Sequence, residues 1–397
     1  MLTAIAAVLA CVPALARASA VPAAVRIAAR LHPGARYLAV AADGTPNDTG
    51  TASRSQAATG GWVAAQWDLT GPYGIRAPQA WAVERRPGNR VVVAVLDTGI
   101  AYSDRAPYHR SPDIAPSSVV RGWDFVDNDP YPNDRNGHGT FVASEIAAAA
   151  NNGYGMVGIA YDTKIMPVRV LDGDGTGTGG RIARGIRWAV NHGAQVINVS
   201  IELYDRFTLD PQSMTTDPAI RSAVSYAGAH HVLVVAAAGN AQSALVPSTR
   251  LGSDILYVGG STEHGCLGDY SNYGPGMDIV APGGGSDAAF AGDPRCTPDV
   301  RGRNILEVSF KRPYLGRFKL VRDSAGRPGF KGTSMAAPHA TAAAALLIAS
   351  GQLGAHPSPA AIQARLRGTA LDLGAPGSDR HYGSGLLDVA AALGVPR

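Results

Sequence analysis

Long hydrophobic runs are nearly absent from this 397-residue chain. After the N-terminus no stretch reaches the roughly 18 uncharged apolar residues that a spanning helix needs, and Ala342 to Ala349 is too short to cross a bilayer. No membrane span is expected. Basic residues never run five together, so the footprint of a nucleic-acid partner is missing. The net charge of +4 is a weak field over a surface of this size. No internal repeat is visible. Gly (48) and Pro (27) exceed average usage only modestly, which points to many turns and excludes a low-complexity fibre. Cysteine is scarce, with only Cys11, Cys266 and Cys296.

What is present is a globular composition, 46% hydrophobic and 17% charged, in a chain long enough for a substantial core. Leu2 to Ala16 is almost wholly apolar, and Ala18-Ser19-Ala20 has the small-x-small form of a signal-peptidase site. Residues 1–20 are therefore expected to be a secretory signal, with an extracellular or periplasmic product. No Lys or Arg precedes the apolar run, so a misplaced start, a short buried helix and a lipoprotein signal at Val8 to Cys11 stay open. With that segment removed two cysteines remain, and an oxidising compartment predicts a Cys266–Cys296 pair. Two free buried thiols are the alternative.

Val25 to Leu31 is expected as a short helix, Arg36 to Ala41 as a strand, and Asn47 to Gly61 as a flexible Gly/Ser/Thr/Ala linker. Beyond it, apolar β-branched runs at Val91–Leu96, Lys164–Val170, Val196–Ser200, Val232–Ala237 and Ile255–Val258 read as buried parallel strands. Helical stretches lie between and after them, at 139–150, 180–192, 218–230 and 334–350. The alternation predicts an α/β fold of three layers, a central, mostly parallel sheet flanked by helices. In such sheets ligands bind beyond the carboxyl ends of the strands.

Four candidate residues sit at such positions. Asp97 directly follows Val91–Leu96, where a carboxylate can hold a histidine tautomer and stabilise an imidazolium, or cap a turn. His138 stands between two glycines at a helix start, and its near-neutral pKa suits general base work. Ser334 opens another helix, where free N–H groups and the positive dipole end favour developing negative charge; the alternative is a plain N-cap. Asn240 ends Val232–Ala237 and can supply an amide donor to an oxyanion, or serve as a turn residue. Asp…His…Ser is one of three chain orders known for triad enzymes.

The stretches Val95-Leu96-Asp97-Thr98-Gly99-Ile100, Asn136-Gly137-His138-Gly139-Thr140, Ala237-Ala238-Gly239-Asn240 and Gly332-Thr333-Ser334-Met335-Ala336-Ala337-Pro338-His339 resemble the motifs of the subtilases, the subtilisin-like serine proteases. Ser271-Asn272-Tyr273-Gly274 and Tyr382 to Asp388 add to the resemblance, which runs from about Trp67 to the C-terminus.

The resemblance implies a serine endopeptidase domain over residues 61–397, polypeptide substrates, a monomer, and no cofactor in the chemistry. It implies an extended substrate held between Gly175-Thr176-Gly177 and Ser200-Ile201-Glu202. Glu202 replaces the glycine usual in the family, and three readings of its carboxylate stay open: it favours basic side chains by charge pairing, it turns into solvent, or it narrows the pocket. The resemblance also implies structural calcium at the loop Asn151 to Met156, through Asn152, with Asp113 completing the site from outside the loop. Asp127, Asn128, Asp129 and Asp134 form a looser acidic cluster, expected in a solvated loop. Residues 21–60 are short for the family's usual prodomain and are expected to be a propeptide remnant and linker, Arg36 to Val40 resembling such a domain's end.

Overall fold

The computed structural model describes residues 46–204, 211–212, 217–244, 254–288, 295–298, 300–311 and 317–397. The N-terminal apolar run, Cys11, the expected 25–31 helix and the expected 36–41 strand lie outside the described residues. Seven strands form the central sheet: β1 (Val92–Asp97), β2 (Trp123–Asp124), β3 (Lys164–Arg169), β4 (Val196–Val199), β5 (Leu233–Ala237), β6 (Ile255–Ser261) and β7 (Ile279–Pro282). Their spatial order is β2-β3-β1-β4-β5-β6-β7, and every pairing is parallel.

Parallel neighbours require crossovers, and helices supply them. Those that do so are α1 (His138–Ala147) between β2 and β3, α2 (Gly179–Asn191) between β3 and β4, and α3 (Pro218–Ala229) between β4 and β5, while α4 (Thr333–Ser350) and α5 (Pro359–Gly368) follow the last strand of the sheet. Side chains alternate across each strand, so β1, β3, β4, β5 and β6 each feed two cores. Val93 and Val95 pack with Phe141 and Ile146 of α1, Leu346 and Leu347 of α4, and Ile362 of α5. Ala94 and Leu96 pack on the opposite face with Ile182 and Ile186 of α2 and Val224 of α3. The expected three layers are thus present. The strands were legible because both faces are buried, which makes them continuous apolar runs.

Helix ends follow local chemistry. Thr178, Asp217 and Ser358 cap α2, α3 and α5 with side-chain oxygens, and Pro218 and Pro359 occupy first turns. α4 stops at Gly351, which adopts the left-handed conformation. Elements absent from the sequence expectation are short or weakly patterned. β2 has two residues, β7 has four, and α5 presents only Ile362 and Leu366 as large apolar residues at helical spacing.

The start of the expected linker is instead docked. Asp48 and Thr49 are buried. The Asp48 carboxylate accepts from the Asn151 and Asn152 amides at 2.8 and 3.1 Å. Gly50 N–H donates to the Gly155 carbonyl, Gly155 N–H donates to the Thr51 carbonyl, and Trp62 Nε1 donates to the Pro46 carbonyl at 2.9 Å. These contacts are mainly to backbone groups, which a small polar composition does not disclose. The cysteine alternatives also resolve: Cys266 and Cys296 are disulfide-bonded.

Leu346 of α4 is fully buried in the core that contains Val93, Val95 and residues of α1. Replacing Leu346 with Ala should destabilise the fold by about 2–5 kcal/mol through lost transfer energy and a residual cavity. A lower urea midpoint with an unchanged slope would show it; an unchanged midpoint would contradict this packing.

Candidate active site

β1 carries its odd-numbered residues toward α1 and α4, and Asp97 continues that set. Its fully buried carboxylate meets His138 at the first position of α1, with Nδ1 2.9 Å from both oxygens. So close an approach of helix to strand needs glycine. A Cβ on Gly139 would lie 2.2 Å from the Gly99 carbonyl oxygen, and one on Gly137 only 1.9 Å from that of Phe310. Burial alone would lower the His138 pKa, but the charge and hydrogen bond of Asp97 outweigh it, and the net shift is upward.

The loop before His138 is organised by Asp134, which was expected in solvent. Asp134 is buried. One oxygen accepts from Thr98 Oγ1 (2.9 Å) and the amides of Asn136 (2.8 Å) and Gly137 (3.0 Å). The other accepts from the Thr140 amide (2.9 Å) and hydroxyl (2.6 Å). Thr98 Oγ1 in turn accepts from Gly139 N–H at 3.0 Å, which ties the end of β1 to the start of α1. The available signal was an Asp two residues before Asn136-Gly137, a spacing suited to a side chain that folds a turn onto itself.

Ser334 is the second residue of α4. Its hydroxyl donates to the Ser200 carbonyl at 3.3 Å, and its own carbonyl accepts from Ser200 Oγ at 2.9 Å. That carbonyl is available because Pro338, four residues on, has no N–H to offer it. Asn198 Nδ2 donates to Ser200 Oγ, while Thr341 Oγ1 donates to Asn198 Oδ1, so β4 and α4 are joined by a buried polar chain. His339 of α4 is buried beside Glu145 of α1 and, at 3.3 Å, Asp68, which ties the two helices deeper in the core. The structure thus sets Asp97 against His138, and both His138 and Ser334 line one cleft with Asn240. The hydroxyl of Ser334 is turned toward Ser200.

Asn240 follows β5. Its Oδ1 accepts from the Thr333 amide at 2.8 Å and hydroxyl at 3.1 Å, which turns Nδ2 the other way. Asn272 braces this loop, accepting from the amides of Ala241 and Ser243 and donating to the Ala238 carbonyl. Glu202 turns onto Asn240. Its Oε1 accepts from the Asn240 amide at 2.7 Å and its Oε2 from Asn240 Nδ2 at 3.3 Å. The carboxylate is engaged with Asn240 and does not stand free as a docking point for a basic side chain. Neither Thr333 nor Asn272 was singled out from sequence as a support of this amide.

Gly175, Thr176 and Gly177 form an exposed turn. Asp172 shapes it by accepting from the amides of Asp174 and Thr176 and from Thr176 Oγ1 at 2.8 Å. Asn136 Nδ2 donates to the Gly173 carbonyl and anchors the turn to the His138 loop. Ser200 and Ile201 are buried where β4 ends. Asp113 accepts from Asn152 Nδ2 at 2.9 Å and the Met156 amide at 3.0 Å. Among the described residues no cluster of three or more His, Cys, Asp or Glu side chains is arranged to hold a metal ion, and no helix is long and apolar enough to cross a membrane.

Comparison with known proteins agrees with this architecture. The model of the subtilase family matches residues 88–385. Thermitase of Thermoactinomyces vulgaris is 34% identical over 66% of this chain and 90% of its own. Subtilisin BL of Lederbergia lenta is 34% identical over 81% of this chain and 98% of its own. Among solved structures, a protease from Pseudoalteromonas arctica aligns with a TM-score of 0.62 and 28% identity, covering 88% of this chain and 99% of that one. A lanthipeptide protease aligns with the same score and identity over 84% of this chain and 93% of that one. The chain belongs to the subtilase family and is a serine endopeptidase of that type.

Proposed function

We propose that this endopeptidase is secreted and cleaves extended polypeptides through an acyl-enzyme, with Asp97, His138 and Ser334 as its triad and Asn240 as an oxyanion donor. The observation that carries this is the buried Asp97 carboxylate 2.9 Å from His138 Nδ1 at the edge of the cleft that Ser334 and Asn240 also line. With Nδ1–H held by Asp97, Nε2 is the basic nitrogen. Rotation of the Ser334 hydroxyl from Ser200 toward His138 aligns the nucleophile, an adjustment expected when substrate fills an empty site.

Ser334 Oγ attacks the scissile carbonyl carbon as His138 takes its proton, and Asp97 stabilises the imidazolium. The carbonyl oxygen becomes an oxyanion, met by the Ser334 amide at the α4 N-terminus and by Asn240 Nδ2. Collapse breaks the C–N bond while His138 donates its proton to the leaving amine. Water, deprotonated by His138, then attacks the ester, and Ser334 leaves as its hydroxyl. The substrate lies as an added strand between Gly175-Thr176-Gly177 and Ser200-Ile201-Glu202. Glu202 acts there by holding the Asn240 amide in place. The paired cysteines support an oxidising compartment.

Structural calcium is the second part of the proposal. Asp48 and Asp113 are buried, and Asn152 Oδ1 is a buried acceptor with no hydrogen-bond partner. Hard oxygen donors with one acceptor unfilled fit Ca²⁺, so Asp113 and Asn152, with Asp48, would hold it. The ion would brace the docked segment from Asn47 to Thr51 and has no part in the chemistry.

Ser334→Ala should abolish turnover and labelling by a fluorophosphonate probe while the far-UV spectrum is retained; full labelling of that variant would refute the assignment. Because the His138 pKa is raised and the base must be neutral, kcat/KM should rise with pH along a limb centred above the ordinary histidine value of about 6.5. A limb at or below that value would contradict the Asp97 contact. Chelation should lower the melting temperature and added calcium restore it, the bound ion adding about 2.7 kcal/mol of stability at a hundredfold excess over Kd. Asp113→Ala should remove that dependence, and a melting curve indifferent to chelator would exclude the ion.

A further inference from the structure

The charge of this chain is unevenly placed. Residues 301–331, which lead directly into the segment bearing Ser334, hold nine basic residues and two acidic ones, whereas the rest of the chain has 26 basic and 29 acidic residues. The excess positive charge thus belongs to one segment, which is fastened to the catalytic loop. Val308–Ser309 pairs antiparallel with Lys319–Leu320, and Ser309 Oγ donates to the Gly137 carbonyl at 2.6 Å, one residue before His138.

The same segment walls a cleft of about 420 Å³ that opens beside His138 and Ser334. Lys311, Arg327 and Lys331 line it, with Asp323 the one carboxylate among its lining residues. Asp323 is bonded to Arg327 at 2.7 Å, and Lys331 reaches out to Asp269 at 2.7 Å. Lys311 lies over the Phe330 ring, its Nζ 5.0 Å from the centroid, with no carboxylate partner among the described residues. Arg327 and Lys331 also line an adjoining cavity of about 450 Å³ together with Arg301. Neither 175–177 nor 200–202 is among the residues that line this cleft, so it is a separate surface beside Ser334 from the two segments proposed above to hold the extended substrate.

We infer that this cleft is the leaving-group subsite and that it selects polypeptides with acidic side chains just after the cleaved bond. The inference rests on the peptidase mechanism proposed above and adds a substrate class to it. A substrate carboxylate entering the cleft meets Lys311 without displacing an existing ion pair, while Arg327 and Lys331, already paired with Asp323 and Asp269, leave the lining with more positive than negative charge. A basic side chain meets the same charge as repulsion. Glu307, the second acidic residue of the segment, is buried and offers nothing to the cleft surface.

The test uses the mature enzyme and internally quenched peptides identical on the acyl side, with Glu, Gln or Lys at the first two positions after the cleaved bond. Glu should exceed Lys in kcat/KM by about tenfold, equivalent to about 1.4 kcal/mol, with Gln between them. The ratio should shrink at 0.5 M salt, where exposed charges are screened within about 4 Å. Lys311→Glu should reduce or invert it. Equal cleavage of the Glu and Lys peptides overturns the subsite, as does a preference that neither salt nor Lys311→Glu alters. If the variant fails to fold, the salt series on the unaltered enzyme decides alone. An enzyme that cuts none of the peptides and resists the fluorophosphonate probe removes the mechanism and the subsite together, whereas one that cuts all equally removes only the subsite.

Discussion

Parallel hydrogen bonding of β1 to β4, with Val93 opposite Val196 and Leu96 opposite Val199, brings Asp97 and Ser200 to one edge of the sheet. Every other strand runs the same way, so the loops that follow β3 and β5 reach that edge too. Strand order changes direction between β1 and β4, and a crevice forms where the connections diverge to opposite faces. Asp97 enters that crevice from the face covered by α1 and α4, because its side chain continues the set begun by Val93 and Val95. The two helices that start there bring His138 and Ser334. The geometry of the proposed site is therefore a consequence of sheet direction and side-chain parity.

Precision is added by polar groups that do no chemistry. Asp134 holds the His138 loop with both oxygens, and the Asn198–Ser200–Thr341 chain fixes α4 against β4. Thr333 and Glu202 grip Asn240 from opposite sides. Each is a buried or half-buried polar side chain with its hydrogen bonds satisfied, the condition under which such networks make a structure rigid. Glu202 carries a tension of its own, since a carboxylate that steadies the proposed oxyanion donor also sets negative charge near where the oxyanion would form. Its two bonds to Asn240, one to the backbone amide, let it position the side chain by geometry.

Much of the fold could be read in advance because buried parallel strands are continuous apolar runs and the helices between them carry recognisable starts. Val92–Asp97 and Leu233–Ala237 lie within one residue of the expected limits. Pieces escaped where local pattern is thin, as in Trp123–Asp124 and Ile279–Pro282, which become strands only because a neighbour supplies hydrogen bonds. Asn47 to Thr51 escaped for the same reason: its composition is that of a linker, and its order comes from the loop at 151–156 on which it lies.

The sequence by itself determined the residue types, their chain order and their positions at strand and helix ends, because local motifs such as Asn136-Gly137-His138-Gly139 encode the backbone shape a site needs. Only the tertiary structure decided what each side chain faces. It buried Asp134, turned Glu202 onto Asn240, pointed the Ser334 hydroxyl at Ser200 and gathered Lys311, Arg327 and Lys331 along one cleft with Ser334. Those outcomes depend on contacts between segments tens to hundreds of residues apart. A carboxylate or an ammonium group is chemically the same in solvent or in a core, and only its neighbours in space determine what it does.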